Sequence, residues 1–484
     1  MRKPRLILIA LILLGMAGLF AQNTLMVNGL NEAKFTYRTA ADSLNAYFED
    51  TFSFNLGYRD FSFGMKFIAE LPKYSTSQSE LLEELSSDRL SLGWKELYAS
   101  YAKDAYLIHA GTIEETFGSG IVFRSYEDLE FDEDHRVTGF KFGYDDVLRA
   151  KALYSGIPSP GSANKLDLAY GLDAEYPILE ILTLGASAFA MRNLTPFNTY
   201  SENDVFGGRL NFISGPIEAA AEYSQRKLYK RGVGLDAMDG NAFYGTLSLS
   251  LAPVQFGGAY KRYDQFNYRL QDLPLANHHG ETLADDQPSG EYEEGFQAWT
   301  NITVLSNIAL NLDYAEAWDS SGEMKMNDAY AGLDWFSGDL YATLSYSHVE
   351  KVDEGLDHWQ KETYPAFTAA FPAGKLNLVL SGEFKTVEKQ VFEEESSHYE
   401  PKLQADLNFG KLGLSLGAQS WWEDFSSIMD SRYWANVEAR YPVFDSTDLI
   451  LFAGSEAGGK VCRNGVCRYV APFSGVRMEL NTRF

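Results

Sequence analysis

The chain has 484 residues, a formal net charge of −26 at neutral pH and 14 % aromatic residues. Such an acidic chain does not bind nucleic acid through its charge, because that affinity comes from cations that neutralise phosphates. So many aromatic residues also exclude an acidic disordered chain. Beyond the N-terminus, no apolar run approaches the ~20 residues of a membrane-spanning helix.

The N-terminus predicts a secretory signal peptide. Three cations among the first five residues precede the apolar run Leu6–Leu14, and Ala21 is a small residue at a suitable cleavage point. This apolar run is short for a membrane anchor. We therefore expect residues 1–21 to be removed on export and residues 22–484 to form a barrel in the bacterial outer membrane.

The remaining chain repeats a strand of about ten residues in which apolar and polar side chains alternate. At 403–409, for example, Leu403, Ala405 and Leu407 alternate with polar residues. Successive strand residues point to opposite faces, so each segment has an apolar face and a polar face. About 24 such segments follow one another, and roughly 18 to 26 strands are admissible. The pattern predicts an all-β protein with a single large antiparallel transmembrane β-barrel.

The connections between these segments are alternately short and long, as in outer-membrane barrels with short periplasmic turns and longer extracellular loops. With an even strand count, both chain ends lie on the periplasmic side, and the first strand can pair with the last. The last strand ends in Phe484, which resembles the C-terminal signature read by the barrel-assembly machinery. The expected partners are therefore that machinery, periplasmic chaperones and outer-membrane lipid.

The most distinctive segment is 116–128, which reads T-F-G-S-G-I-V-F-R-S-Y-E-D. Its glycines permit a sharp bend, and it mixes apolar residues with opposed charges. The segment near 113–136 could fold into the lumen and narrow it, with Arg124 paired to an acidic residue of the wall or of the same segment. It could also be a surface loop held by ordinary ion pairs. The candidate constriction residues are Glu114, Glu115, Phe117, Gly118, Gly120, Arg124, Glu127 and Asp128.

This segment resembles a motif in a family of uncharacterised outer-membrane proteins from Bacteroidetes-like bacteria. The shared pattern is an acidic residue before F-G-S-G and an R-S-aromatic-E-D block after it. The resemblance extends loosely from residue 24 to about residue 190. It implies a porin-like barrel and no particular activity.

Two further groups of residues invite a chemical interpretation. Cys462 and Cys467 flank an Asn-Gly pair, the favoured centre of a tight hairpin, and the periplasm is oxidising. We expect a disulfide between them in an extracellular loop. His278 and His279 are expected to lie in a surface loop, and no set of nucleophile, base and orienting group is spaced as in an enzyme. The sequence therefore predicts no enzyme, no cofactor and no metal site.

Two function classes stay open. The first is a channel or solute transporter whose lumen is narrowed by the segment near 113–136. The second is a non-conducting structural or surface-interaction barrel whose acidic extracellular loops bind a partner or divalent cations. The sequence does not name a solute.

Overall fold

The computed structural model describes 11 stretches of the chain: residues 25–39, 45–71, 90–128, 133–159, 162–192, 201–230, 238–283, 290–392, 394–425, 431–463 and 466–484. The expected signal peptide lies outside these residues, so its cleavage stays a prediction. Among the described residues, no helix is long and apolar enough to cross a membrane.

Within these stretches the chain forms 30 strands, of which 24 belong to one sheet. The strands of this sheet are β1 Met26–Arg38, β2 Ala46–Tyr58, β3 Phe61–Leu71, β4 Ser91–Lys103, β5 Tyr106–Ile113, β10 Val137–Asp145, β11 Arg149–Ser159, β12 Ser162–Leu179, β13 Leu182–Arg192, β14 Ser201–Ser214, β15 Ile217–Lys230, β16 Met238–Leu251, β17 Val254–Asp264, β18 Tyr292–Leu305, β19 Ile308–Trp318, β20 Met324–Ser337, β21 Leu340–Asp353, β22 His358–Ala373, β23 Leu376–Val391, β24 Glu394–Phe409, β25 Leu412–Trp421, β26 Arg432–Phe444, β27 Thr447–Glu456 and β30 Phe473–Arg483. The short strands outside it are β6 Glu115–Phe117, β7 Phe123–Ser125, β8 Glu127–Asp128, β9 Glu133–Asp134, β28 Gly459–Arg463 and β29 Val466–Val470.

The sheet closes on itself. Each barrel strand pairs antiparallel with the next one, and β1 pairs with β30 from Leu30↔Arg483 to Arg38↔Gly475. The predicted single antiparallel barrel, its even strand count and its pairing of first strand with last are confirmed. Closure matters because lipid cannot hydrogen-bond the free N–H and C=O groups of a sheet edge.

The two edges of the barrel differ, as the alternating connections predict. On one edge the strands are joined by turns of two or three residues, from Arg59-Asp60 to Asp445-Ser446. The other edge carries most of the longer connections, including 114–136 and 265–291. Both long connections leave the sheet at the same edge, which lets them meet.

The two faces of the wall also differ. On β12, Tyr170 and Leu172 are 38 % and 62 % exposed, whereas Asp167 and Asp173 are 1 % and 5 % exposed. The exposed residues form an apolar outer band suited to a bilayer, and the inner face is polar. Inner polar residues as buried as these must be covered by other parts of the chain.

A hairpin beyond the barrel wall holds both cysteines. In the pairing of β28 with β29, Cys462 lies directly opposite Cys467. The side chains of these residues are outside the described part of the structure. The disulfide therefore stays a prediction, to be checked by mass spectrometry of non-reduced peptides.

The C-terminal residue completes the seam between the first and last strands. The N–H of Gly29 donates to a main-chain oxygen of Phe484 over 2.9 Å, and the N–H of Phe484 donates back to the Gly29 oxygen over 3.1 Å. The Phe484 ring stacks on that of Phe52, with centroids 5.7 Å apart. A Cβ on Gly29 would lie 2.4 Å from the Phe484 ring and 2.5 Å from the carbonyl oxygen of Ser53. Gly29 thus provides the space that the terminal ring occupies.

We expect Gly29→Ala to weaken barrel closure, because the added methyl group meets a ring and a backbone oxygen at the seam. Overpacking of this kind costs ~1–3 kcal/mol. Gly57→Ala on β2 is the matched control, since its Cβ would lie 3.5 Å from the flexible Met26 side chain. For Gly29→Ala alone, the urea concentration at the unfolding midpoint should fall. The temperature at which heating removes the gel mobility of the folded barrel should fall as well. Equal values for the two variants would contradict this account of the seam.

Candidate functional site

The candidate site is built around a short hairpin, residues 114–128, called the inner hairpin below. It follows β5 directly, and β6 pairs with β7 through Glu115↔Ser125 and Phe117↔Phe123. The Ser125 hydroxyl donates to the carbonyl oxygen of Ile113 over 2.7 Å and accepts the N–H of Val137 over 3.0 Å. One serine therefore joins the hairpin to the end of β5 and to the start of β10.

The inner hairpin packs on the wall through apolar side chains. Phe117, Ile121, Val122 and Phe123 are each 0 % exposed. They share a core cluster with wall residues that include Leu153, Ile157, Ala169, Phe189, Met191 and Val205. Ala169 lies on β12 between the exposed residues of the outer band, and so on the opposite face. The hairpin therefore contacts the inner face of β11 to β14.

The F-G-S-G turn is shaped by a carboxylate of the wall. Glu222 on β15 accepts the backbone N–H of Ser119 over 2.8 Å and is itself only 5 % exposed. Gly118 has a φ of +57°, and a Cβ there would lie 2.5 Å from the nearer Glu222 oxygen. The left-handed backbone conformation and the space for the carboxylate both require glycine.

A second connection, residues 265–283 and called the docking loop, covers the hairpin. The N–H of Arg124 donates to the Leu270 carbonyl over 2.8 Å, and the N–H of Asp272 donates to the Gly120 carbonyl over 3.1 Å. The Tyr268 hydroxyl lies 2.9 Å and 2.7 Å from the carbonyl oxygens of Ile121 and Val122. The loop thus satisfies backbone groups of the hairpin that would otherwise be buried without partners.

Arg124 forms an ion pair with Asp272 of the docking loop, and its guanidinium lies 4.1 Å from the centroid of the Tyr126 ring. This corrects the expected partner, an acidic residue of the wall or of the same segment. Residues 115 and 124 face opposite sides of the hairpin, because Arg124 pairs with Thr116 and Glu115 pairs with Ser125. The Arg124 and Asp272 side chains are 39 % and 36 % exposed, so the pair lies on the side of the hairpin away from the wall.

The acidic residues of the segment have other partners. Glu115 binds Lys141 at 3.1 Å and Lys151 at 2.7 Å, both on the wall. Glu127 binds Lys66 at 2.7 Å and Arg136 at 3.3 Å. Glu114 is exposed, and its backbone carbonyl oxygen lies 3.4 Å from the Lys141 ammonium. Asp128 lies opposite Glu133 in the backbone pairing of β8 with β9.

Arg136 secures the base of this segment beside the barrel. Its side chain is 4 % exposed and lies 2.7 Å from Glu96 and 2.8 Å from Asp134. Burial by itself raises the pKa of Asp134, but hydrogen bonds from Arg136 outweigh it and leave this pKa below its ordinary value. The stabilisation from Asp134 is therefore present above its unfolded-state pKa and is lost as the pH falls through the lowered one.

The far end of the docking loop is fixed by three polar side chains that are hydrogen-bonded in series. His279 Nδ1 lies 2.7 Å from one oxygen of Asp328, and the backbone N–H of His279 donates to the other over 3.0 Å. His279 Nε2 lies 3.0 Å from the Ser347 hydroxyl. The buried carboxylate favours the proton on Nδ1, which leaves Nε2 to accept from the serine.

Carboxylate, imidazole and hydroxyl follow one another here in the same order as in the catalytic triad of serine hydrolases. The sequence alone did not indicate this arrangement. His279 was expected in a surface loop, and this expectation was wrong: the ring lies against the inner wall. The three residues are separated by 49 and 68 positions, so no local spacing could indicate them. Ser347 is only 4 % exposed, and its hydroxyl is engaged with His279. We interpret the hydrogen-bonded series Asp328–His279–Ser347 as a latch that holds the docking loop on β20 and β21.

The expected cation binding by acidic loops stays a prediction. Among the described residues, no group of three or more His, Cys, Asp and Glu side chains is arranged to hold a metal ion.

The sequence matches one known protein family. A model described as a family of unknown function (DUF6029) matches residues 4–288, which include the inner hairpin. No curated protein matches the chain.

Solved structures of bacterial outer-membrane barrels are similar in fold. A chain of the E. coli P pilus tip assembly intermediate PapC-PapD-PapK-PapG is similar over 95 % of this chain, with a TM-score of 0.56 and 11 % identity. This chain spans only 60 % of the length of that one. The siderophore receptor PirA from Pseudomonas aeruginosa is similar over 96 % of this chain and 81 % of its own, with a TM-score of 0.50 and 10 % identity. At such identities the likeness shows the fold alone, which is that of bacterial outer-membrane barrels.

We expect Gly118→Ala to loosen the inner hairpin, because the methyl group meets the Glu222 carboxylate in a backbone conformation that costs L-residues ~1–2 kcal/mol. Gly215→Ala is the control, since Gly215 has a φ of +58° and nothing within 4 Å of its added Cβ. Hydrogen exchange of residues 114–128 should accelerate in Gly118→Ala and stay unchanged in the control. Equal protection in both variants would show that Glu222 does not shape the turn.

We expect His279→Ala to release the end of the docking loop, because a buried Asp328 left without its partner costs ~1–3 kcal/mol. His348→Ala on β21 is the control: its side chain points to the other face, 4.0 Å from Glu350. Hydrogen exchange across residues 275–283 should rise for His279→Ala only. Covalent modification of Ser347 in the wild-type barrel by an organophosphonate would contradict the latch interpretation and indicate a reactive serine.

Proposed function

This chain belongs to the DUF6029 family of unknown function, and we propose that it is a porin-like channel or solute transporter whose lumen is narrowed by the inner hairpin. The observation that carries the proposal is the apolar anchoring of Phe117, Ile121, Val122 and Phe123, all fully buried against the inner face of the wall. A segment held in this way is a fixed constriction.

The width of the barrel supports this proposal. Barrels of about 16–18 strands already leave an aqueous channel, and this barrel has 24 strands. Without inner elements it would let solutes pass with little selection. The inner hairpin occupies the side of β11 to β14, and the docking loop extends from there to β20 and β21. Together they would divide a wide lumen into a narrower path.

Charged groups along that path support a hydrated channel over a closed plug. Arg124 and Asp272 are partly exposed on the side of the hairpin away from the wall. Water is the medium that stabilises such partly exposed charges, since transfer of a charge to an apolar environment is costly. The non-conducting surface-interaction barrel is the competing function, and it predicts no current at all.

We also propose that the barrel lies in the bacterial outer membrane. Removal of residues 1–21 on export and insertion into the outer membrane are proposed from the N-terminal pattern and from the apolar outer band. Phe484 is proposed as the assembly signal read by the barrel-assembly machinery, with periplasmic chaperones and lipid as further partners. Its position at the seam beside Gly29 supports this role.

We expect Val122→Asp to raise single-channel conductance in planar bilayers, because a carboxylate is too costly in the fully buried position that Val122 occupies against the wall. Val122→Ala is the control, since it keeps the contact apolar and should conduct like the wild type. Arg124→Ala should give a smaller increase, because a partly exposed ion pair contributes only ~0–1 kcal/mol. Unchanged conductance in Val122→Asp would refute the constriction, and the absence of current in the wild type would favour the non-conducting barrel.

A further inference from the structure

A polar cavity on the side of the barrel away from the inner hairpin has no role in the function proposed so far. Its volume is about 230 Å³, and it lies where the docking loop meets β21, β22 and β23. The lining residues are Glu281, Val349, Lys351, Gln360, Glu362 and Lys385. The cavity is therefore lined by two cations, two anions, one amide and a single apolar side chain.

The charges in this cavity are arranged as two ion pairs. Lys351 Nζ lies 2.7 Å from a carboxylate oxygen of Glu281, and Lys385 Nζ lies 2.7 Å from one of Glu362. Gln360 donates to the other oxygen of Glu362 over 2.8 Å. The four charged side chains are between 14 % and 37 % exposed, so they can exchange partners with a solute that enters from the lumen.

We propose that this cavity binds a zwitterionic solute of the size of a free α-amino acid. The ammonium group of such a solute would find two carboxylates, and its carboxylate would find two ammonium groups. Its entry adds no net charge, whereas a purely anionic or cationic solute would leave one charge uncompensated in a partly desolvated space. The inference rests on the proposed channel function, for which it names a class of solute.

Size and position agree with this assignment. At about 30 Å³ per water molecule, the cavity has room for roughly seven waters or one small amino acid. A neutral polyol of the same size could form hydrogen bonds there but could not use the two opposed charges. Glu281 is two residues from His279, so the latch that fixes the docking loop also positions one carboxylate of the cavity.

The test is a current-block titration of the full-length barrel in planar bilayers containing KCl. Alanine is the zwitterion, and lactate, isopropylamine and glycerol are the anionic, cationic and neutral probes of similar size. We expect alanine to reduce the current saturably, with a half-blocking concentration about tenfold below those of the other three probes.

Two double variants that carry the same pair of substitutions each remove the charges of one ion pair. Glu281→Gln with Lys351→Gln should raise the half-blocking concentration of alanine about tenfold, since two charge-assisted hydrogen bonds to the solute are weakened. Glu350→Gln with Lys361→Gln is the control, because this pair, at 3.1 Å on β21 and β22, faces the other side of the wall. The control should block like the wild type.

The two proposals fail in different ways. A barrel that conducts KCl but is blocked no better by alanine than by glycerol or lactate would overturn the zwitterion site and leave the channel intact. Equal block in the Glu281/Lys351 and Glu350/Lys361 double variants would also overturn the site. A barrel without current would overturn the channel. In that case, equilibrium dialysis of labelled alanine against the purified barrel and the same two double variants decides the site directly.

Discussion

Pairing of every backbone N–H and C=O group within the wall is the constraint on which the rest of the structure depends. Lipid offers these groups no partner, so β1 must meet β30, and the sheet becomes a closed barrel. The same constraint acts on chain segments that lie against the inner face. The carbonyl oxygens of Gly120, Ile121 and Val122 and the N–H of Arg124 all form hydrogen bonds with the docking loop, because neither the turn nor the outer edge of β7 has another strand beside it.

The barrel itself could be predicted from the sequence, since its information is local. Alternation of apolar and polar residues assigns each side chain to a face, and the change from short turns to long connections orients the whole barrel. The expected count of about 24 strands agrees with the 24 strands of the closed sheet. The glycines of F-G-S-G could be recognised as a bend for the same reason, because left-handed backbone conformations favour glycine wherever they occur.

The contacts inside the barrel could not be predicted, because their partners are distant in sequence. Arg124 and Asp272 are 148 residues apart, and Ser119 and Glu222 are 103 residues apart. The sequence shows that Arg124 lies near several acidic residues, but it does not show that wall lysines already bind Glu115. His279 looked like one residue of an acidic surface loop for the same reason. Its carboxylate and hydroxyl partners come from two wall strands that the chain enters only later.

The strength of the attachment follows from which contacts are buried. Each of the four apolar anchors of the inner hairpin is fully buried, and burial of a large apolar side chain contributes ~1.5–3 kcal/mol. The ion pair of Arg124 with Asp272 is partly exposed and contributes ~0–1 kcal/mol. The apolar contacts therefore hold the hairpin against the wall, whereas the ion pair sets the charge and position of the surface away from the wall. In the proposed channel, a change of charge at positions 124 and 272 would alter the surface that solutes meet without releasing the hairpin. The division between an apolar anchor and a charged, partly exposed surface would then separate the selectivity of the proposed channel from the attachment of its constriction.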